Sequence, residues 1–227
     1  KNNNPTKKLD DLPFWMVGEN FGYGYGRSQY HIDNGYDGLI NFDFQGQAGN
    51  IGNLENVYSN YANTINNASD WNALSYISSH DTSLFDRGNL VNAGTSLLLA
   101  PGSVQIFYGD ETGRPEGPLG GDPHQGTRSY MNWNNINTNI QSHWQRLGQF
   151  RRNHLAVGGG KHQQLSSSPY TFSRTLDNDN VVVVVGASGN TSVNVASVFP
   201  NGTELRDFYT ESVATVSNGS VTFNAHS

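Results

Sequence analysis

The segment Ala73–Leu74–Ser75–Tyr76–Ile77–Ser78–Ser79–His80–Asp81 decides the fold. It is apolar from Ala73 to Ile77, which reads as a short buried strand, and it stops in a cluster of polar and ionisable groups. Downstream, Leu90 to Ala100 carries apolar residues at helical spacing and stops at Pro101–Gly102. A further apolar run, Val104 to Tyr108, then ends in Gly109–Asp110–Glu111. Upstream the texture is the same. Phe14 to Val17 is a strand that runs into Gly18–Glu19–Asn20, Leu39 to Phe44 alternates as a second strand, and Val57 to Ile65 is weakly helical. Strands that alternate with helices predict a parallel sheet with helical crossovers. In a parallel β/α barrel the reactive side chains sit at the C-terminal ends of strands, so the pattern predicts that Glu19, His80 and Asp81 converge on one mouth.

Beyond the fourth strand, a Gly/Pro-rich loop runs from Thr112 to about Arg128, and Ile136 to about His154 reads as an amphipathic helix with Ile140, Trp144, Leu147 and Phe150 on one face. The texture changes at Gly158–Gly159–Gly160. Short runs rich in Val, Phe, Tyr and Thr follow, separated by turn signals at Asp177–Asn180, Ser188–Asn190, Asn201–Gly202 and Asn218–Gly219. This predicts an antiparallel β region over 161–227.

Composition narrows the function classes. The 227 residues carry a formal charge of −6, with 13 basic and 19 acidic side chains and no basic run, so nucleic acid has no electrostatic footprint here. No apolar stretch is long enough to span a bilayer. Cysteine is absent, which excludes disulfide and thiol chemistry. Residues 1–12 are polar, and the start at Lys1 reads as that of a processed or clipped product.

Each reactive group has a plain reading beside the functional one. A carboxylate that directly follows a buried strand, as Glu19 does, loses water, which favours the protonated form a general acid needs; otherwise it is a solvent-facing strand-end residue. Asp81 can hold a developing positive charge and His80 can bond a hydroxyl; otherwise Asp81 is an N-cap. Gly109–Asp110–Glu111 adds carboxylates near the same mouth, preferably as loop residues beside Arg114. Gly22–Tyr23–Gly24–Tyr25–Gly26 does not fit a dinucleotide loop, and its tyrosines pack a loop or stack on sugars. Asp177 and Asp179 lack the downstream ligands of a calcium loop and read as a hairpin turn. No His/Cys/Glu cluster has zinc spacing, so no residue is assigned to a metal.

Trp15–Met16–Val17–Gly18–Glu19–Asn20, Ser78–Ser79–His80–Asp81–Thr82 and Ile106–Phe107–Tyr108–Gly109–Asp110–Glu111, in that order, resemble three motifs of glycoside hydrolase family 13, the α-amylase family. Gly35–Tyr36–Asp37–Gly38–Leu39–Ile40–Asn41–Phe42–Asp43 looks like its sixth strand, and the set is most similar to periplasmic or secreted bacterial members. The resemblance implies an α/β fold. Residues 1–160 would be the C-terminal half of a (β/α)8 TIM barrel, about strands five to eight, and 161–227 a small antiparallel β-sandwich-like domain. It also implies retaining endo-hydrolysis of α-1,4-glucosidic bonds in starch and maltodextrins. Glu19 would be the general acid/base, Asp81 the transition-state stabiliser, His80 a ligand of sugar hydroxyls, and Asp122 with Arg128 a donor-side sugar-binding pair. That pair stands two residues further apart than in the common D-P-x-x-R form. The implied partners are an α-glucan and the N-terminal half of the same enzyme. Structural calcium is implied too, held mostly by residues outside this chain, and the compartment would be extracellular or periplasmic.

The family's nucleophilic Asp lies on the fourth strand, in an R-x-D-x-x-x-H segment. Asp10 and Asp11 stand in no such context, so the chain by itself is expected to be inactive on starch and to be stable only beside the preceding half barrel. A family glucanotransferase, an α-1,6-acting relative and a non-catalytic carbohydrate-binding fragment are the alternatives.

Overall fold

The computed structural model describes residues 14–29, 35–117 and 126–225. Its first layer is a four-stranded, wholly parallel sheet in sequential order: β1 (Val17–Gly18), β2 (Gly38–Asn41), β3 (Asn72–Ser75) and β4 (Ser103–Val104). Helices α1 (Asp43–Gln47) and α2 (Leu54–Tyr61), the latter extended by a π-helical turn over Ala62–Asn66, cross from β2 to β3. Helix α3 (Leu90–Leu98) crosses from β3 to β4, and α4 (Thr138–Asn153) follows β4. The short helix α5 (Ala156–Gly159) leads into the antiparallel part. Sequential parallel strands with helices after β2, β3 and β4 follow the repeating pattern of a β/α barrel.

The sheet ends where side chains recruit the backbone. Asn41 is fully buried; its amide donates to Tyr61 Oη at 3.1 Å and Ser75 Oγ at 3.0 Å, and its carbonyl accepts from Asp43 N at 3.2 Å. The last bond turns the chain, so the strand predicted to run to Phe44 stops at Asn41 and Phe44 is buried from α1 instead. The strand predicted over Val104–Tyr108 is likewise reduced to Ser103–Val104. Its ladder to β3 continues only through Gln105 N to Ser75 O, 2.8 Å, and the chain beyond leaves the sheet with Ile106 and Tyr108 exposed.

Helix α4 is started by the Asn137 side chain, which accepts from Asn139 N and Ile140 N, and it buries Ile140 and Trp144 as its periodicity predicts. Trp144 packs against Gly94 of α3 and donates to Leu90 O at 2.9 Å; a Cβ at position 94 would fall 2.4 Å from Trp144 Nε1. The buried guanidinium of Arg151 then caps the end of α3, donating to Leu98 O (3.1 Å), Ala100 O (2.7 Å) and Gly102 O.

The antiparallel strands are β5 (Lys161–Ser167), β6 (Tyr170–Leu176) and β7 (Asp179–Val185) in one sheet, β8 (Gly189–Asn194) with β11 (Ser220–Ala225) in a second, and β9 (Glu204–Arg206) with β10 (Val213–Thr215) in a third. The acidic turn is a hairpin, with Leu176 paired to Asp179 and Asp177 at φ 51°. Asn218 and Gly219 both take positive φ, as a two-residue hairpin turn demands. The main core runs without a break from Leu54, Tyr58, Ile77 and Leu97 into Phe172 and Val181 of the first antiparallel sheet, while Val193, Val195, Val216 and Val221 form a separate small core.

Candidate active site

The C-terminal end of the parallel sheet gathers most of the predicted groups. Glu19 directly follows β1, and the turn Ser79–His80–Asp81–Thr82 lies a few residues beyond β3. Ser79 Oγ shapes that turn: it accepts from Asp81 N (3.3 Å) and Thr82 N (3.0 Å) and bonds Thr82 Oγ1 at 2.8 Å. The turn exposes the Asp81 carboxylate between two basic side chains. Its Oδ2 is 3.0 Å from His80 Nε2, and its Oδ1 accepts from Arg128 Nη2 at 3.2 Å. His80, Asp81 and Arg128 are therefore together. Asp122, the other member of the predicted sugar-binding pair, lies outside the described residues.

Glu19 and Asp81 both bear on Tyr76, whose hydroxyl is buried and makes no hydrogen bond; the nearby hydroxyls of Ser79 and Thr82 are committed to each other. Burial pushes the Tyr76 phenol up. The Ser79 and Thr82 hydroxyls act against that, and the charges of Glu19 and Asp81 act with it. Glu19 follows β1 and Asp81 lies beyond β3, at the same C-terminal edge of the parallel sheet. Phe42 packs edge-on to Tyr76 at 5.6 Å and Phe21 leans on Phe42 at 4.9 Å. One expectation is corrected. Glu19 is exposed, because β1 is two residues long and stands at the edge of the described sheet, so this chain does not itself strip water from the carboxylate.

The loop after β4 corrects a second. Asp110 does not face the mouth; it is fully buried and pairs with Arg87 rather than Arg114. Its Oδ1 accepts from Ser78 Oγ at 2.7 Å and Arg87 Nη2 at 2.8 Å, and its Oδ2 is buried with no hydrogen-bond partner. Burial pushes its carboxyl up, against the pull of Arg87 and Ser78. Glu111 accepts from Gly109 N at 2.9 Å. Arg114 is buried as a loop organiser. It donates to Tyr108 O (3.1 Å), Thr127 O (2.9 Å) and Ser129 O (3.3 Å), also bonds Ser129 Oγ, and stacks over Tyr108 at 4.1 Å. Thr127 Oγ1 then donates to His80 O at 3.2 Å. Sequence reasoning missed Tyr76, Arg87 and the role of Arg114: Tyr76 directly follows β3 but reads as part of its apolar run, and the two arginines stand in no recognisable spacing. Tyr25 packs a loop, stacked on Tyr61 at 4.0 Å.

Among the described residues no group of three or more His, Asp or Glu side chains is arranged to hold a metal ion. Asp179 serves structure: burial pushes it up, but Ala156 N (2.9 Å) and His154 Nδ1 (2.8 Å) outweigh that and hold its carboxyl below the usual range.

Parallel strands with a carboxylate and a His–Asp pair beyond their C-terminal ends, and an arginine from the following loop on the same carboxylate as the histidine, have the layout of a β/α-barrel site. The comparisons agree on fold. The chain superposes on the α-amylase of Anoxybacillus with TM-score 0.68 at 21% identity, covering 92% of this chain and 49% of that one. It superposes equally well on the α-amylase of Geobacillus thermoleovorans complexed with acarbose, at 18% identity and with coverage of 92% and 50%. In sequence it is 47% identical over 189 residues to the periplasmic α-amylase of Escherichia coli (strain K12), which is 81% of this chain and 28% of that protein. It is 27% identical over 143 residues to a β/α-amylase of Paenibacillus polymyxa, 61% of this chain and 12% of that one. No family model matches. The chain is a homologue of the periplasmic α-amylase of E. coli and matches the C-terminal portion of that protein. It spans about a quarter of that relative's length and about half of the solved structures.

Proposed function

We propose that this chain supplies the acid half of an α-amylase active site and acts, with the preceding half of the barrel, in retaining endo-hydrolysis of α-1,4-glucosidic bonds. The observation that carries this reading is the placement of Glu19 after β1 and of Asp81 beyond β3 at the same C-terminal edge of the parallel sheet, with Asp81 held between His80 and Arg128. In this reading Glu19 donates its proton to the glycosidic oxygen as the bond to the anomeric carbon breaks. The nucleophilic carboxylate implied by the family resemblance takes the sugar as a covalent ester. Glu19 then removes a proton from water, which releases the sugar with its configuration retained. Asp81 stabilises the positive charge that develops on the ring in both steps. His80 and Arg128 donate to sugar hydroxyls, with Asp122 as Arg128's companion on the donor side. A seated glucan excludes water from this open mouth and strengthens each of those interactions.

The substrate class is supported by the names of the relatives and by the acarbose in one structural neighbour, and an exported, periplasmic home by the name of the E. coli relative. Among the described residues no helix is long and apolar enough to cross a membrane. The test uses the complete protein that carries this sequence, with maltooligosaccharides of defined length. Glu19→Gln should lower kcat by roughly 10²–10⁴ with the fold retained. Near-normal turnover in that variant would remove Glu19 from the acid role. Product analysis in the same assay separates hydrolysis from glucanosyl transfer and from α-1,6 cleavage.

A further inference from the structure

The Arg87–Asp110 pair is an unusual thing to keep beneath a polar turn. Asp110 is fully buried, one of its oxygens has no hydrogen bond, and the ion pair that offsets its burial uses only the other. A buried charge left half-satisfied is costly, and an apolar pair of the same size is often at least as stable, so stability is a poor reason for it to be there. What the pair touches suggests another. Arg87 joins three segments at once: Nη2 reaches Asp110 and Ser78 Oγ (3.0 Å), Nε donates to Phe85 O (2.6 Å), and Nη1 donates to Arg114 O (3.3 Å).

From there two short chains of bonds lead to the same carboxylate. Through Ser78, which also accepts from Phe85 N at 2.9 Å, the pair fixes the point where β3 gives way to the His80–Asp81 turn. Through Arg114 it fixes the loop in which Thr127 bonds His80 O and Arg128 meets Asp81.

We infer that the buried Arg87–Asp110 pair is a positioning device that sets Asp81 and Arg128 against each other, by clamping the end of β3 to the loop after β4. The inference rests on the reading of Asp81 as the stabilising carboxylate, and it makes Arg87, Asp110 and Ser78 positioning residues, none of which touches substrate.

The test takes the complete protein with Asp110→Asn, the apolar pair Arg87→Met/Asp110→Leu, and Ser78→Ala. The first readout is amide exchange, which needs no activity. In Asp110→Asn and Ser78→Ala the amides of Asp81, Thr82 and Phe85 should exchange about tenfold faster while those of α3 hold their protection. The second is steady-state kinetics on a maltooligosaccharide, where kcat should fall by about 10- to 100-fold with KM changed far less, as a small misplacement of a charge stabiliser produces. The apolar pair should recover the melting temperature lost in Asp110→Asn without recovering kcat. If it recovers both, the pair is structural only and the inference falls; unchanged exchange in Ser78→Ala, which cuts the clamp but leaves the ion pair intact, also overturns it. Glu19→Gln run alongside keeps the two readings apart. Full turnover in that variant sinks the hydrolase reading, whereas the exchange data still decide the clamp.

Discussion

At the residue scale, the candidate site works by contrast between neighbours. Asp81 is partly exposed and flanked by His80 and Arg128, free to face a ligand, whereas Asp110, on the next strand's loop, is buried and used up in holding the frame. The same contrast separates two arginines. Arg128 ends in the open mouth; Arg114 is enclosed by three backbone carbonyls and a tyrosine ring. Only a planar fork of donors spans those carbonyls. Arg114→Lys should therefore destabilise the protein by about 2–3 kcal/mol in urea unfolding, since a point charge leaves buried acceptors unmet. Glu19, His80 and Asp81 were legible in the sequence because strand-end chemistry leaves a local signature. Arg87, Arg114 and Tyr76 were not, since their importance lies in partners chosen by the fold, such as Asp110 for Arg87, 23 positions on, and the carbonyls of Thr127 and Ser129 for Arg114, 13 and 15 positions on, which no local pattern names.

At the element scale, helices α3 and α4 meet through a glycine. Trp144 occupies the space a side chain at Gly94 would need, and the contact backs the helix that follows the His80–Asp81 turn. Gly94→Val should cost about 1–3 kcal/mol from overpacking, measured as a fall in the urea midpoint with the slope unchanged. The helix was readable from Ile140, Trp144 and Leu147, but its glycine partner was not, because helical periodicity marks which face is buried and is silent on what it is buried against. Strand lengths were over-read for a related reason. Leu39–Phe44 and Val104–Tyr108 are apolar enough for strands, but Asn41 and the edge position of β4 end the pairing early.

At the scale of the whole molecule, one polar network ties the helical layer to the antiparallel sheet. Glu55 of α2 accepts from Tyr170 Oη and meets His162 Nε2, each at 2.9 Å; Arg174 Nε donates to His162 Nδ1 at 2.8 Å and its Nη1 to Val157 O at 2.6 Å. An arginine can only donate, so His162 is neutral with its proton on Nε2, directed at Glu55. Burial holds the His162 imidazole below its usual value, and Arg174 adds to that against the pull of Glu55; Tyr58 and Arg151 complete the charged and titratable surroundings. A base whose folded pKa is depressed contributes stability that is present above its unfolded value, about 6.5, and is lost as pH falls from there through the folded value. Thermal melts should therefore weaken below about pH 6.5, and His162→Gln should flatten that part of the profile relative to the parent. An identical pH slope in the variant would assign the loss to carboxylates elsewhere.

The sequence by itself determined the order of elements, the parallel-then-antiparallel division, and the strand-end groups Glu19, His80 and Asp81. These follow from periodicity, turn chemistry and motif order, all of which are local along the chain. Only the tertiary structure decided that Arg128 faces Asp81, that Asp110 is turned inward onto Arg87, that Glu19 stands exposed on this chain, and that the first antiparallel sheet shares the core of the parallel layer. The physical reason is that burial and charge pairing depend on which distant segments come within a few ångströms of each other, and that is set by packing rather than by any stretch of sequence read alone.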